Sequence, residues 1–414
     1  MISPTSPPPA LSLPLRTPQP SMRQPLAFAR ESSAARFTVD GSPELERQLA
    51  ATCRRIAAGL RGLIPRSQLE TILLGGGYGR GEGGVRRTDA GDRPYNDLEF
   101  YVCIRGNRHL NERRFGRAVH VLGEILTPQA GVEVEFKITS LQELAQGRVS
   151  MFSYDLMVGH VQLLGAASVL ARCAHHRDAR RIPLSEATRL LMNRGSGLLF
   201  ARERLNQPIF TAADADFVGR NVAKAQLALG DALLVVDGNY QASARERHRH
   251  VERLARVESM PWLQAVATHH ARGLEFKLHP QRTTATAEEL AELHAEITDL
   301  ARRVFLTIES QRLDTPFASA REYALSRVVK CPESQGRRNA LVNLKVLGTR
   351  ACLESGAFRH PRERILNALT LLLWEPATLA TPALQRHVQR ELRTTAQTFP
   401  GLVAVYRELW GRVN

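Results

Sequence analysis

The 414-residue sequence has few cysteines and no long apolar run. Its five cysteines are odd in number and scattered, and the absence of a Cys-x-x-Cys pair argues against a zinc site, a redox motif or a disulfide framework. No segment approaches the roughly 18 apolar residues that a membrane-spanning helix needs. These absences predict a cytoplasmic protein without a membrane partner.

Acidic residues are outnumbered, since 56 Lys and Arg residues face 41 Asp and Glu residues and give a net charge of +15. Such an excess favours anionic partners, which include nucleotides, nucleic acids and phosphorylated substrates. Only five of the cations are lysine, so the arginine preference runs through the whole chain and does not mark one nucleic-acid-binding patch. DNA is therefore not expected as a partner.

The patterning predicts three regions. Residues 1–36 hold eight of the 22 prolines and are predicted to be disordered. Residues 37–170 are predicted to form an α/β (α+β) domain with a small mixed sheet, beginning with a helix capped by Ser42. Residues 171–414 are predicted to form an all-α helical bundle, because apolar residues there recur at helical spacing. The predicted helices after residue 182 are Leu184–Leu205, Ala212–Val236, Arg245–Arg272, Ala287–Ser310, Arg321–Val329, Asn339–Ser355, Pro361–Trp374, Leu384–Thr398 and Leu402–Trp410.

A glycine-rich turn follows a short apolar strand at Thr71–Leu74 and runs from Gly75 to Gly84. Glycine has no side chain to block an approaching ligand, and it tolerates positive φ. Backbone N–H groups in such a turn bind phosphate. The turn is therefore a candidate phosphate-binding site.

Paired carboxylates follow on two further predicted strands. Asp97 and Glu99 are two residues apart, so their side chains project from one face of a strand. Glu133 and Glu135 alternate with apolar residues on the next strand, and one or both can point towards the same cleft. Carboxylate oxygens suit Mg²⁺ or Mn²⁺, and three carboxylates can hold two such ions about 4 Å apart. Together with a phosphate-binding turn, this predicts nucleotidyl transfer.

These motifs resemble those of the DNA polymerase β-type nucleotidyltransferase superfamily. The resemblance covers residues 66–165, and rests on the turn, on the Asp-x-Glu strand and on a third carboxylate. It implies that the turn residues Gly76, Gly77, Tyr78, Gly79 and Arg80 bind a nucleoside triphosphate, expected to be ATP. It further implies that Asp97 and Glu99 ligate the metal with Glu135 or Glu133, that Glu135 is the general base, and that Arg194 of the helical domain contacts phosphate or acceptor.

The same resemblance carries two expectations about local structure. Residues 155–165 are similar to the closing strand of such domains, and Val85–Tyr95 is expected to be an inserted loop beside the site. The implied reaction moves a nucleoside monophosphate to an unidentified acceptor, which is a small molecule, a protein, a sugar or RNA, and releases pyrophosphate.

Three other interpretations compete with this one. Gly79–Gly84 satisfies the G-x-G-x-x-G pattern of dinucleotide-binding folds. That pattern requires a helix after the third glycine, whereas the segment that follows contains Gly91 and Pro94. A catalytically silent nucleotide-binding or interaction module remains open, although both Asp97 and Glu99 are present. An RNA-acting enzyme, either a terminal transferase or a ribonuclease, is favoured by charge alone.

Overall fold

The computed structural model describes residues 30–31, 36–258, 260–349 and 357–413. The stretch of residues 1–36 predicted to be disordered lies outside the described residues, apart from 30–31 and 36. The described chain has a mixed α/β architecture with a small mixed sheet and many helices. Within it, no helix is both long and apolar enough to cross a membrane.

The chain divides into two compact units. Among the described residues, the sheet unit comprises residues 30–186 and 237–281, and the helical unit comprises residues 187–236 and 282–413. The sheet unit thus extends past residue 170, where sequence patterning places the domain boundary. It also includes two helices from the segment that was predicted to belong to the C-terminal domain.

Five strands form the main sheet, in the order β1-β7-β2-β5-β6, and two more form a separate hairpin, β3-β4. The interior strand β5 pairs antiparallel with β2 and parallel with β6, so the predicted mixed sheet is confirmed. The strands are β1 Arg30–Glu31, β2 Leu69–Leu74, β3 Val85–Thr88, β4 Gly91–Pro94, β5 Leu98–Ile104, β6 Val134–Thr139 and β7 Val161–Leu164. The helices of this unit are α1 Pro43–Leu63, α2 Gly76–Gly79, α3 Arg108–Ala130, α4 Leu141–Gln146, α5 Met151–Val158, α8 Ala244–Glu258 and α9 Pro261–Leu278.

Alternation along β5 gives the sheet two different faces. Phe100 and Val102 belong to the main core, together with Ile56 of α1 and Phe115 of α3. Tyr101 belongs to a smaller apolar cluster that includes Leu156 and Met157 of α5. Glu99 shares the face of Tyr101, because residues two apart in a strand point the same way. One face is therefore fully packed, while the other is only partly covered.

One local expectation is wrong, and a second is confirmed only in part. Val85–Tyr95 is not an irregular loop: β3 and β4 form a hairpin there, with Gly91 at φ 100° in the turn. The segment likened to a closing strand is helical up to Val158, and the strand begins only at Val161. The helix forms because Ser150 and Ser153 cap its first turn reciprocally.

The helical unit contains most of α6 Leu184–Leu205 and α7 Ala212–Asp237, followed by α10 Ala287–Arg312, α11 Ala320–Leu325, α12 Gly336–Leu347, α13 Pro361–Trp374, α14 Pro382–Leu392 and α15 Phe399–Val413. Helix α13 is buried along most of its length, which matches its run of apolar residues. A buried ion pair joins Arg312 to Glu309, and the Tyr323 hydroxyl donates to the same carboxylate. The predicted helices of this region are present, but three of them end earlier than predicted, at Leu325, Leu347 and Leu392.

One predicted helix, Arg245–Arg272, is instead the pair α8 and α9. The break falls before Pro261, which stands in the first turn of α9, where a missing N–H costs nothing. The two helices pack against each other. They belong to the sheet unit, so they are positioned relative to the glycine-rich turn.

Glu82 connects this helix pair to the turn. Its buried carboxylate accepts hydrogen bonds from the Ser243 hydroxyl at 2.6 Å and from the Ala244 N–H at 2.8 Å, at the start of α8. Burial raises the pKa of Glu82, but these hydrogen bonds and the nearby Lys277 ammonium outweigh burial and leave the pKa below its usual value. Glu82 therefore caps α8 as a carboxylate.

We expect Glu82→Ala to loosen α8 from the turn, at a cost of about 2 kcal/mol, because a charge-assisted buried cap is lost. Hydrogen exchange of the Ala244 and Arg245 amides should accelerate in the variant. In the wild type the same amides should lose protection as the pH falls below about 4. A carboxyl group whose pKa is lowered by folding stabilises the folded state only while it is ionised, and this stabilisation is lost when acid protonates it. Glu44→Ala, which removes an exposed first-turn carboxylate from α1, is the matched control. Unchanged exchange in Glu82→Ala would contradict the capping role.

Candidate functional site

Three carboxylates meet at the start of β5 and β6. One oxygen from each of Asp97, Glu99 and Glu135 lies within 4.8 Å of the others. Glu99 and Glu135 are direct partners in the parallel register, and Asp97 stands immediately before β5. All three side chains are half-buried. The structure therefore brings together the three residues predicted to hold a metal and to act as the base.

Glu133 is not part of this carboxylate cluster. It precedes the first residue of β6, and its side chain is exposed. Its carbonyl oxygen accepts a hydrogen bond from the Leu98 N–H at 2.8 Å, which starts the pairing of the two strands. Between the two candidates for third carboxylate, the geometry favours Glu135.

A tyrosine and a lysine adjoin the cluster on the same face. The Tyr101 hydroxyl donates to Glu99 Oε2 at 3.1 Å, and Lys137 Nζ lies 3.2 Å from Glu135 Oε2. Burial and the charge of Glu99 raise the pKa of Tyr101 well above its usual value, so its hydroxyl remains a donor. By its chemistry, this set of hard carboxylate oxygens fits Mg²⁺ or Mn²⁺.

The glycine-rich turn lies directly beside the carboxylates. Gly76 has φ 62°, and a Cβ atom added to it would stand 3.2 Å from Glu99 Oε2. The Gly75 N–H donates to the Glu99 carbonyl at 2.9 Å, which fixes the turn against β5. Gly76 and Gly77 then open the short helix α2, whose first-turn N–H groups have no partner within a helix. The two predicted motifs thus form one site.

Tyr78 and Gly79 shape the turn from within. Tyr78 is buried, and its hydroxyl donates to the Gly84 carbonyl and accepts from the Tyr95 N–H, both at 2.9 Å. A Cβ atom on Gly79 would lie only 2.3 Å from the Leu74 carbonyl oxygen. Both residues were predicted to bind the nucleotide. The buried Tyr78 side chain and the close packing at Gly79 give both residues a structural role in the turn, and their predicted contact with the nucleotide stays a prediction.

Arg80 forms an ion pair with Asp155 of α5, with 3.3 Å between Nη1 and Oδ2. Its side chain is 13% exposed, and its stem lies close to the backbone at Gly159. Arg80 is thus anchored at the end of the turn, and its buried Nε–H group has no acceptor within the described chain.

Lys277 of α9 is a further cation at the turn, and sequence patterning did not single it out. Its ammonium donates to the Glu82 carbonyl at 3.2 Å and would lie 3.5 Å from a Cβ atom on Gly77. Burial, reinforced by the charge of Arg80, lowers its pKa to about 8. One signal was available in the sequence: Lys277 is one of only five lysines in an arginine-rich chain.

Arg194 belongs to the other unit. It is half-buried on α6, where burial lowers the pKa of its guanidinium, and the charge of Asp231 partly offsets this effect. Its predicted contact with phosphate or acceptor stays a prediction.

Comparisons with known proteins give no relative for the chain. No protein-family model, no curated protein and no solved structure matches it. Its function is therefore inferred from the residues and distances given above.

The turn requires glycine at position 79, and this requirement is testable. We expect Gly79→Ala to destabilise the sheet unit by about 3 kcal/mol, because the new methyl group meets the Leu74 carbonyl and the backbone must shift. Gly62→Ala is the matched control. It lies on α1 with nothing within 4 Å of an added Cβ, and we expect it to be neutral or to stabilise by about 0.5 kcal/mol. Thermal and denaturant unfolding of the two variants provides the comparison. Equal stability of both would mean that the turn has another backbone conformation.

Proposed function

We propose that the protein is a metal-dependent nucleotidyltransferase, which moves a nucleoside monophosphate from a nucleoside triphosphate to an acceptor hydroxyl or phosphate. The observation that supports this most strongly is that the glycine-rich turn lies beside the carboxylate cluster. A hypothetical Cβ atom on Gly76 lies 3.2 Å from Glu99 Oε2, so a phosphate held at the turn also stands beside the carboxylates. Neither a tight turn nor an acidic strand requires the other for folding.

In this proposal, the phosphates occupy the side of the turn where cations gather. Lys277 supplies an ammonium beside Gly77, and Arg80 supplies a buried guanidinium at the end of the turn. The first-turn N–H groups of α2 add neutral donors. The Glu82 carboxylate does not occupy the phosphate side of the turn, because its oxygens accept hydrogen bonds at the start of α8.

The carboxylates Asp97, Glu99 and Glu135 would hold the divalent cation. Such an ion supplies stabilisation of the charge that develops on the transferring phosphate. Glu135 would accept the proton of the acceptor, while Tyr101 holds Glu99 in position through its hydroxyl. The acceptor oxygen forms a bond to the α-phosphorus, the bond to the β-phosphate oxygen breaks, and pyrophosphate leaves. ATP is the expected donor, and the acceptor is undefined.

Pyrophosphate release tests the reaction class. With each ribonucleoside triphosphate, Mn²⁺ or Mg²⁺ and cell extract as a source of acceptors, we expect release by the wild type. Asp97→Asn and Glu99→Gln should each lower it at least about 100-fold, because they remove ligand charge. Glu133→Gln, outside the carboxylate cluster, should retain wild-type release. Nucleotide binding without release in any extract would favour the silent module. Loss of nucleotide binding at moderate salt together with steeply salt-dependent RNA binding would favour the RNA-acting alternative.

The pH dependence of nucleotide binding tests the role of Lys277. Because its pKa is near 8, we expect the dissociation constant for a triphosphate to rise about tenfold between pH 7 and pH 9, as the ammonium loses its charge. Arg80, Glu82, Arg247 and Asp155 are the charged groups that act on Lys277. Lys277→Met should bind weakly at both pH values and show a flat profile. Lys345→Met, an exposed lysine of α12, is the control and should retain the wild-type profile.

A further inference from the structure

Lys137 is the one lysine on the carboxylate face of the described sheet. It stands two residues after Glu135 on β6 and is the register partner of Tyr101 on β5. Its ammonium lies 3.2 Å from Glu135 Oε2 and 3.9 Å from Glu99 Oε1. It also lies 5.7 Å from the centre of the Tyr101 ring, whose face attracts a cation. The ammonium is therefore held between two of the three carboxylates.

The oxygens of the cluster are not equally available. Glu99 has Oε1 near Lys137 and Oε2 hydrogen-bonded to Tyr101, and Glu135 has Oε2 paired with Lys137. The Asp97 carboxylate, in contrast, has no hydrogen bond or ion pair with any described residue. A divalent ion that binds all three carboxylates therefore shares Glu99 and Glu135 with Lys137, and Glu99 also with Tyr101.

The charges of the cluster also indicate that Lys137 opposes metal binding. Three carboxylates bring three negative charges together, and like charges at this separation repel each other. Lys137 offsets one of them in the free protein. A divalent ion at the same carboxylates is repelled by the ammonium, which lies at salt-bridge distance from the oxygens that the ion needs.

We propose that Lys137 is a built-in counter-ion of the carboxylate cluster, which competes with the divalent cation and keeps the metal affinity of the free protein low. This inference rests on the proposed function and adds a form of regulation to the same site. Metal loading then depends on a second source of ligands, which the phosphates of a bound nucleotide supply. In the free protein Lys137 then offsets one of the three carboxylate charges, and no ion is strongly bound.

Titration with Mn²⁺ alone, followed by electron paramagnetic resonance of the unbound ion, tests this role without any activity assay. We expect Lys137→Met to bind Mn²⁺ about fivefold more tightly than the wild type, a modest factor because the pair is partly exposed to solvent. Lys137→Arg keeps the charge and should restore the wild-type affinity. Lys345→Met should change nothing. Thermal unfolding in the presence of a chelator gives a second readout: Lys137→Met should be destabilised there and rescued by Mn²⁺.

The failure of this inference is distinguishable from the failure of the proposed function. If Lys137→Met leaves Mn²⁺ affinity unchanged or weakens it, the counter-ion role is overturned, whereas loss of binding in Asp97→Asn would still support the metal site. If Asp97→Asn leaves Mn²⁺ binding intact, the ion binds elsewhere, and both the proposed site and the inference fall. Tighter binding in Lys137→Met that Asp97→Asn abolishes in the double variant supports the inference.

Discussion

The parallel pairing of β5 with β6 places Glu99 directly beside Glu135, and the rest of the site depends on this register. Two carboxylates on neighbouring strands repel each other unless a cation or a hydrogen-bond donor lies close by. The chain provides both, through Lys137 and through the Tyr101 hydroxyl. A shift of either strand by one residue would turn its glutamate to the packed face and break the cluster. The buried apolar residues of β5 therefore fix the position of the acidic ones.

A second constraint brings distant parts of the chain to the turn. Glu82 lies within the glycine-rich segment, yet its carboxylate completes the first turn of α8. Because α8 packs on α9, this single cap also positions Lys277 beside Gly77. Several hydrogen bonds to the Glu82 carboxylate offset the free energy of desolvation that its burial costs. The fold of residues 237–281 is thus linked to the geometry of the turn.

Much of the fold follows from local sequence signals. Ser42 caps α1 as its sequence predicts, and Leu184–Leu205 and Pro361–Trp374 are helices with the predicted limits. The strand at Leu98–Ile104 is recognisable because its apolar run is that of a central strand. The prediction for residues 155–158 is wrong for a physical reason: a short apolar run has no clear period, and the Ser150 cap makes these residues helical.

The candidate site was predictable only in part. The glycine turn and three carboxylates are visible as motifs, and their spacing favours one cleft. The sequence does not show which turn residues face a ligand. The pattern around Tyr78 and Gly79 does not distinguish them from exposed turn residues, and only the packing of the folded chain does. Lys277 escapes motif analysis because its proximity to Gly77 depends on the docking of α9, and no local pattern encodes that contact.

The most direct measurement is a crystal structure with Mn²⁺ and a non-hydrolysable nucleoside triphosphate analogue, recorded at a wavelength where manganese scatters anomalously. The account predicts an anomalous peak within bonding distance of Asp97 and at least one of Glu99 and Glu135, with the phosphates beside the glycine-rich turn and within reach of Lys277. An analogue bound elsewhere, or manganese absent from the three carboxylates while the nucleotide is present, would contradict it.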